Sequence, residues 1–129
     1  MLYSVHDGDI APMLAAADII TDAEHLPTTH IVHPRKWRKS QVSPMGGRTI
    51  FELLSCETTK HSADPTKYVR ININDGITAL PDCKNGPGGS CSLEEFAKRT
   101  ARKGHEVGDF RDRCGLDKDV PDRLRFLHQ

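Results

Sequence analysis

The sequence predicts an α/β fold with a few strands, among them an antiparallel hairpin, and two or three helices. The hairpin is predicted by residues 68–74, where polar and apolar side chains alternate, and by the turn sequence Asn74-Asp75-Gly76. A helix is predicted to begin at Ser92-Leu-Glu-Glu95, where a serine precedes a glutamate by three positions. The length of 129 residues suits one domain.

The N-terminal part is predicted to hold a strand end, a helix and a long loop. Residues 2–5 resemble the end of a buried strand. A helix follows, with Asp9 as its N-terminal cap and Pro12 tolerated in its first turn. Residues 27–46 contain three prolines and show no periodicity, so they are predicted to form a long ordered loop.

The central part is predicted to form the sheet. Residues 47–56 are rich in Ile, Phe and Leu and predict a strand, and residues 57–66 predict a polar loop. Residues 77–80 are expected to return as the partner strand of the hairpin. In the alternating strand the two faces are expected to hold Val69, Ile71 and Ile73 on one side and Tyr68, Arg70, Asn72 and Asn74 on the other.

The C-terminal part is predicted to be one helix and a weakly patterned tail. The helix is expected to run from the capping box to about residue 102, with Phe96 and Ala97 facing inward. Residues 104–129 are charged and contain only scattered apolar positions. Two basic clusters are interpreted as solvated faces: Arg35, Lys36, Arg38 and Lys39, and Lys98, Arg99, Arg102 and Lys103.

Composition gives no support to a nucleic-acid or membrane partner. Eighteen basic residues balance eighteen acidic ones, and the hydrophobic fraction is 36%. The longest apolar run, residues 11–17, is far too short to span a bilayer. The N-terminus lacks the basic and apolar regions of a signal peptide, and no cofactor motif is present.

The four cysteines point to an oxidising compartment. Cys83 and Cys91 bracket a turn-rich loop, which predicts a local disulfide between them. Cys56 follows a strand and Cys114 follows the last predicted helix, which leaves their mutual pairing open. A metal site formed by the cysteines with His25, His30 and His33 is disfavoured, because no Cys-x2-4-Cys pair occurs.

His6-Asp7 is the most informative pair of residues in the chain. It lies between the predicted strand end and the predicted helix, which puts an imidazole and a carboxylate beside a helix N-terminus. The free backbone N–H groups and the positive dipole end of a helix favour anions. His6 and Asp7 are therefore the candidate catalytic residues, although a His-Asp pair before a helix is commonly only a cap with a polar neighbour.

The pair and its surroundings resemble the C-terminal part of histidine acid phosphatases, the branch of the histidine phosphatase superfamily that includes fungal acid phosphatases and phytases. The resemblance covers about residues 2–115 and leaves 116–129 as a tail. Its segments follow the family's order: Leu26-Pro-Thr-Thr-His30, Arg35-Lys-Trp-Arg38, Val42-Ser-Pro-Met-Gly-Gly-Arg48 with the strand to Cys56, the hairpin at 68–75, and Cys83 to Cys91-Ser-Leu-Glu-Glu-Phe96.

The resemblance implies a secreted acid phosphatase that hydrolyses phosphomonoesters, phytate among them, through a phosphohistidine. In it His6 would contact the phosphate, and Asp7 would protonate the leaving alcohol at the low working pH that the family favours. The nucleophilic histidine belongs to an Arg-His-Gly-x-Arg-x-Pro motif, which is absent from these 129 residues. It is expected, with the signal peptide, in a missing N-terminal portion of the same domain. The resemblance also implies that Cys56 pairs with a cysteine far upstream and that Cys114 pairs outside this segment. The alternative is a truncated, non-catalytic module that binds phosphate or another protein.

Overall fold

In the computed structural model, the described residues are 6–57 and 65–121. Their helices are α1 (Asp7–Ala16), α2 (Lys39–Val42), α3 (Leu93–Val107) and α4 (Phe110–Cys114), with a 3₁₀ turn at Pro87–Gly89. Their strands are β1 (Thr49–Cys56), β2 (Thr66–Ile73), β3 (Gly76–Thr78) and β4 (Cys91–Ser92). This arrangement confirms the predicted α/β class. The strand end predicted at residues 2–5 lies outside the described residues, as does most of the predicted polar loop.

The four strands form one antiparallel sheet around β2. The order is β1-β2-β3, and β4 pairs with the part of β2 that β3 does not reach. The alternation predicted for β2 is confirmed: Val69, Ile71 and Ile73 are buried, and the polar residues between them are half-buried. Because paired residues of antiparallel strands point to the same face, Phe51 and Leu53 of β1 lie on that apolar face as well.

The turn between β2 and β3 is the predicted two-residue hairpin. Asn74 and Asp75 both have positive φ, +49° and +67°, as this class of turn requires. The returning strand is shorter than expected, since β3 ends at Thr78 and Leu80 instead bridges to Cys83.

The core lies between the apolar face of the sheet and the helices. Leu14 of α1 and Val42 of α2 are fully buried there, next to Ile71 and Ile73. Helix α2 corrects the prediction that residues 27–46 lack regular structure. In this single turn Val42 gains contacts with the core. Asp22 fixes the segment that leads into the turn, because it accepts hydrogen bonds from the backbone N–H groups of Lys36 and Trp37 at 2.6 and 3.0 Å.

Helix α3 begins as predicted but extends further. The Ser92 hydroxyl accepts a hydrogen bond from the backbone N–H of Glu95 at 3.3 Å, and the helix continues to Val107. Phe96 packs against the core, whereas Ala97 is exposed and the prediction for it is wrong. The inward position is instead taken by Arg99, which also contradicts its interpretation as part of a solvated face. Helix α4, in the region predicted as an irregular tail, is a further correction.

None of the helices in residues 6–57 and 65–121 has the length and apolar character needed to cross a membrane.

Two glycines provide a matched test of backbone conformation. Gly8 lies in α1, whereas Gly115 ends α4 in the left-handed region with φ +64°, and a Cβ at either position would meet open space. We expect Gly8→Ala to raise the free energy of unfolding by about 0.5–1 kcal/mol. Gly115→Ala should lower it by about 1 kcal/mol. Urea denaturation measures both, and changes of the same sign would contradict the difference in backbone conformation.

Candidate active site at the N-terminus of α1

The two candidate catalytic residues lie where α1 begins. His6 is the N-cap residue, in extended conformation, and Asp7 is the first residue of the helix. His6 is exposed, and the side chain of Asp7 is 58% exposed. Both side chains therefore remain accessible to a ligand at the surface.

Asp9 stabilises the start of the helix in a different way from the one predicted. The helix begins three residues earlier than expected, so Asp9 is not the N-cap residue but the third residue of the helix. Its carboxylate accepts a hydrogen bond from the backbone N–H of His6 at 3.0 Å. This is the backward half of a capping box, and it fixes the backbone of the His6-Asp7 pair.

Two helix-terminal donors have no acceptor among residues 6–57 and 65–121. The backbone N–H of Asp9 bonds to the His6 carbonyl at 3.0 Å, whereas those of Asp7 and Gly8 have no hydrogen-bond partner within the described part of the chain. Gly8 also has no heavy atom within 4 Å of its Cβ position. Helix N–H groups in this position bind phosphate and carboxylate oxygens well.

Lys39 is a further charged residue at this site. Its ammonium lies 3.5 Å from the Asp7 carboxylate. Pro12 lies in the second turn of α1, not in the first as predicted, and does not interrupt the helix. The basic cluster that contains Lys39 predicts only a solvated face. Lys39 is indeed exposed, but its contact with Asp7 depends on α2 packing beside α1, which no local pattern indicates.

The three histidines in or next to the segment predicted as a long loop lie at the surface. The Nδ1 atom of His30 lies 3.1 Å from the hydroxyl of its neighbour Thr29, and His25, His30 and His33 are all exposed. Within residues 6–57 and 65–121, no three His, Cys, Asp or Glu side chains are grouped so that they could hold a metal ion.

The site is an open surface. An apolar groove lies between β1 and α3, and neither His6 nor Asp7 lines it. Residues 1–74 match the family model described as "Histidine phosphatase superfamily (branch 2)". This chain belongs to that superfamily.

Similar proteins in this superfamily are phytases and acid phosphatases. A Candida albicans phytase is 34% identical over 97% of this chain and 25% of its own length. An acid phosphatase of Komagataella pastoris is 30% identical over 95% of this chain and 25% of its own length. The crystal structure of the phytase from D. castellii superposes with a TM-score of 0.79 at 28% identity, over 95% of this chain and 25% of that one. The chain thus spans about a quarter of the length of these relatives.

Two of the four cysteines of this histidine phosphatase chain pair as predicted. Cys83 and Cys91 form the predicted disulfide, with Cα atoms 5.1 Å apart. Cys56 is half-buried and Cys114 is exposed, and neither has a disulfide partner among the described residues. The resemblance to the acid phosphatases places their partners in another part of the domain, and that pairing stays a prediction.

Proposed function

We propose that this chain supplies the C-terminal part of a secreted phosphomonoesterase and contributes His6 and Asp7 to its active site. Residues 2–115 would belong to the catalytic domain, and residues 116–129 would form a tail. The observation that carries the proposal is the exposed His6-Asp7 pair at a helix N-terminus, in a member of the histidine phosphatase superfamily.

In the proposed reaction the nucleophile comes from outside this chain. A histidine nitrogen of an Arg-His-Gly motif attacks phosphorus, a P–N bond forms, and the P–O bond to the alcohol breaks. Asp7 gives its proton to the departing oxygen, since an alkoxide is a poor leaving group. Water then cleaves the P–N bond, and Asp7 recovers a proton from that water. General acid catalysis of this kind contributes about 10²–10⁴-fold to the rate.

The charge on the phosphoryl oxygens requires hydrogen-bond donors. We infer that His6 and the backbone N–H groups of Asp7 and Gly8, at the positive end of α1, supply these donors. The substrate class is therefore phosphomonoesters, with phytate as a candidate because two of the similar proteins are phytases.

The disulfide supports the proposed location. A Cys83–Cys91 bond persists in oxidising compartments and is rare in a reducing cytosol. This agrees with secretion, which we propose for the whole enzyme.

A chimera tests the proposed function. The first three quarters of the D. castellii phytase, joined to this chain in place of that enzyme's own C-terminal quarter, should release phosphate from phytate or glycerol phosphate. The chain alone is the matched control and should show no turnover. A folded chimera that binds phosphate without turnover would instead support the non-catalytic module, and turnover by the chain alone would contradict the need for an outside nucleophile.

A further inference from the structure

The loop closed by the Cys83–Cys91 disulfide contains the dipeptide Asn85-Gly86, where alone in the sequence an asparagine precedes a glycine. An asparagine in this position can lose ammonia without a catalyst. The backbone nitrogen of the next residue attacks the side-chain amide carbon, and glycine hinders that attack least because it has no side chain. The dipeptide is therefore a chemically reactive site outside the candidate active site.

The structure exposes the asparagine but holds the attacking nitrogen. Asn85 is exposed, so the water that completes the reaction has free access to it. The backbone N–H of Gly86, by contrast, donates a hydrogen bond to the carbonyl of Ser90 at 2.8 Å. An amide nitrogen has to turn toward the side chain and lose its proton when it attacks. The bond to Ser90 must therefore break first.

Close packing on Gly86 supports this hydrogen bond. A Cβ at this position would lie 2.6 Å from the ring of Tyr68 and 2.8 Å from the carbonyl oxygen of Ser90. Ser90 is only 1% exposed, and its hydroxyl donates to the carbonyl of Pro87 at 2.7 Å. The close approach thus requires glycine after Asn85, so the fold retains the reactive dipeptide while its hydrogen bond opposes the reaction.

The disulfide keeps the loop closed. Cys83 and Cys91 are eight positions apart, and the buried Cys91 begins β4, which pairs with β2. A cross-link between the ends of a loop restricts the open states of that loop. Backbone N–H groups become free through local opening, without unfolding of the whole chain. Loss of the cross-link should therefore free the Gly86 nitrogen before the rest of the sheet opens.

We propose that Asn85 is a deamidation site controlled by the Cys83–Cys91 disulfide. A dithiol reductant converts the S–S bond to two thiols and is itself oxidised to a disulfide. The Gly86 nitrogen then bonds to the side-chain carbon of Asn85, and ammonia leaves with the proton that this nitrogen loses. Water opens the resulting succinimide ring to aspartate or isoaspartate. A reversible reduction thus leaves a permanent negative charge beside Lys84, and this reactivity is independent of the proposed phosphatase activity.

Peptide mass spectrometry tests the proposal. The whole chain is incubated in mildly alkaline buffer with and without dithiothreitol, and the fraction deamidated at Asn85 is followed over time. Reduction should raise the rate at least about tenfold, because the cross-link no longer opposes opening of the loop. The double variant Cys83→Ser with Cys91→Ser should react at the fast rate without reductant. Asn85→Gln should stay unmodified in both conditions, because its longer side chain closes the ring far more slowly.

Asp75-Gly76 separates opening of the loop from unfolding of the chain. An aspartate before a glycine forms the same ring with loss of water, and the ring opens to isoaspartate. Arg48 binds the Asp75 carboxylate and Gly76 begins β3, so this site reacts only when the hairpin opens. Isoaspartate at Asp75 should therefore stay equally low with and without the disulfide.

Two results would overturn the proposal. One is an equal rate of deamidation at Asn85 in the oxidised and the reduced chain. The other is a rise of isoaspartate at Asp75 in parallel with deamidation at Asn85, because unfolding of the whole chain, and not opening of the disulfide loop, would then control the reaction.

Discussion

Asp7→Asn is expected to lower the turnover of glycerol phosphate by the chimeric phosphatase about 10²–10⁴-fold. Asparagine keeps the shape of the side chain but cannot give a proton to the leaving oxygen. The substitution leaves the backbone at the start of α1 in place, so binding of the substrate phosphate should change far less than turnover. Steady-state kinetics should therefore show the loss in kcat and leave KM within a few-fold.

The leaving group distinguishes a proton donor from a structural residue. p-Nitrophenolate is a much better leaving group than an alkoxide, so its phosphate ester needs less protonation in the transition state. The Asp7→Asn variant should lose much less activity on p-nitrophenyl phosphate than on glycerol phosphate. An equal loss on both substrates would mean that Asp7 does not act as the general acid.

Asp9→Asn is the matched control for the position of the charge. Asp9 is two residues away and holds the backbone of His6 through a hydrogen bond of 3.0 Å. An asparagine oxygen can accept the same bond, so only a small loss of activity is expected. If Asp9→Asn reduced kcat as much as Asp7→Asn, the geometry of the helix start, and not proton transfer by Asp7, would explain both effects.

The error at the start of α1 shows where local sequence rules conflict. Asp9 was expected at the N-cap because aspartate is favoured there and histidine is not. The helix instead begins at Asp7, because an acidic residue three positions after the cap can bind the backbone N–H of His6. Two rules thus competed over the same residues, and neither the pattern nor the composition decides between them.

Strand β2 was predictable because its signals are local and agree. Alternation defines its faces, and Asn74 and Asp75 adopt the positive φ of the turn that ends it. Contacts between distant segments were not predictable. Lys39 meets Asp7, and Arg99 enters the interior, only after the helices pack on the sheet. The sequence of a basic cluster on a helix predicts a solvated face, because it does not show which distant acceptors a side chain such as Arg99 will reach.

Arg99 ties the end of α1 to α3. Its side chain is only 8% exposed and donates to the carbonyls of Ala17 and Asp18 and to the carboxylate of Asp82, at 2.5, 3.2 and 2.8 Å. The two carbonyls belong to the chain that leaves α1, so the guanidinium satisfies acceptors at the negative end of that helix. A buried charge with three acceptors stabilises the fold only while all of them are present.

Arg99→Met is expected to lower the free energy of unfolding by about 3 kcal/mol. Each hydrogen bond to a charged donor contributes roughly 1.5–3 kcal/mol, and hydration of the acceptors that lose Arg99 restores part of the total. Arg102→Met is the matched control. Arg102 donates to the same Asp82 at 3.2 Å, but its side chain is 58% exposed, and the expected loss is within about 1 kcal/mol. Urea denaturation at neutral pH measures both, and similar losses would contradict the assigned role of Arg99.

The pH dependence supplies an independent readout of the same contact. The hydrogen bond from Arg99 is the main cause that holds the pKa of Asp82 below its usual 3.8. A carboxyl whose pKa is lowered by folding adds stability above its unfolded pKa, and that stability is lost as the pH falls through the lower, folded value. The difference in stability between the unaltered chain and Arg99→Met should therefore narrow below about pH 4. A gap that stays constant down to pH 2 would mean that packing of the side chain, and not its bond to Asp82, stabilises this joint between α1 and α3.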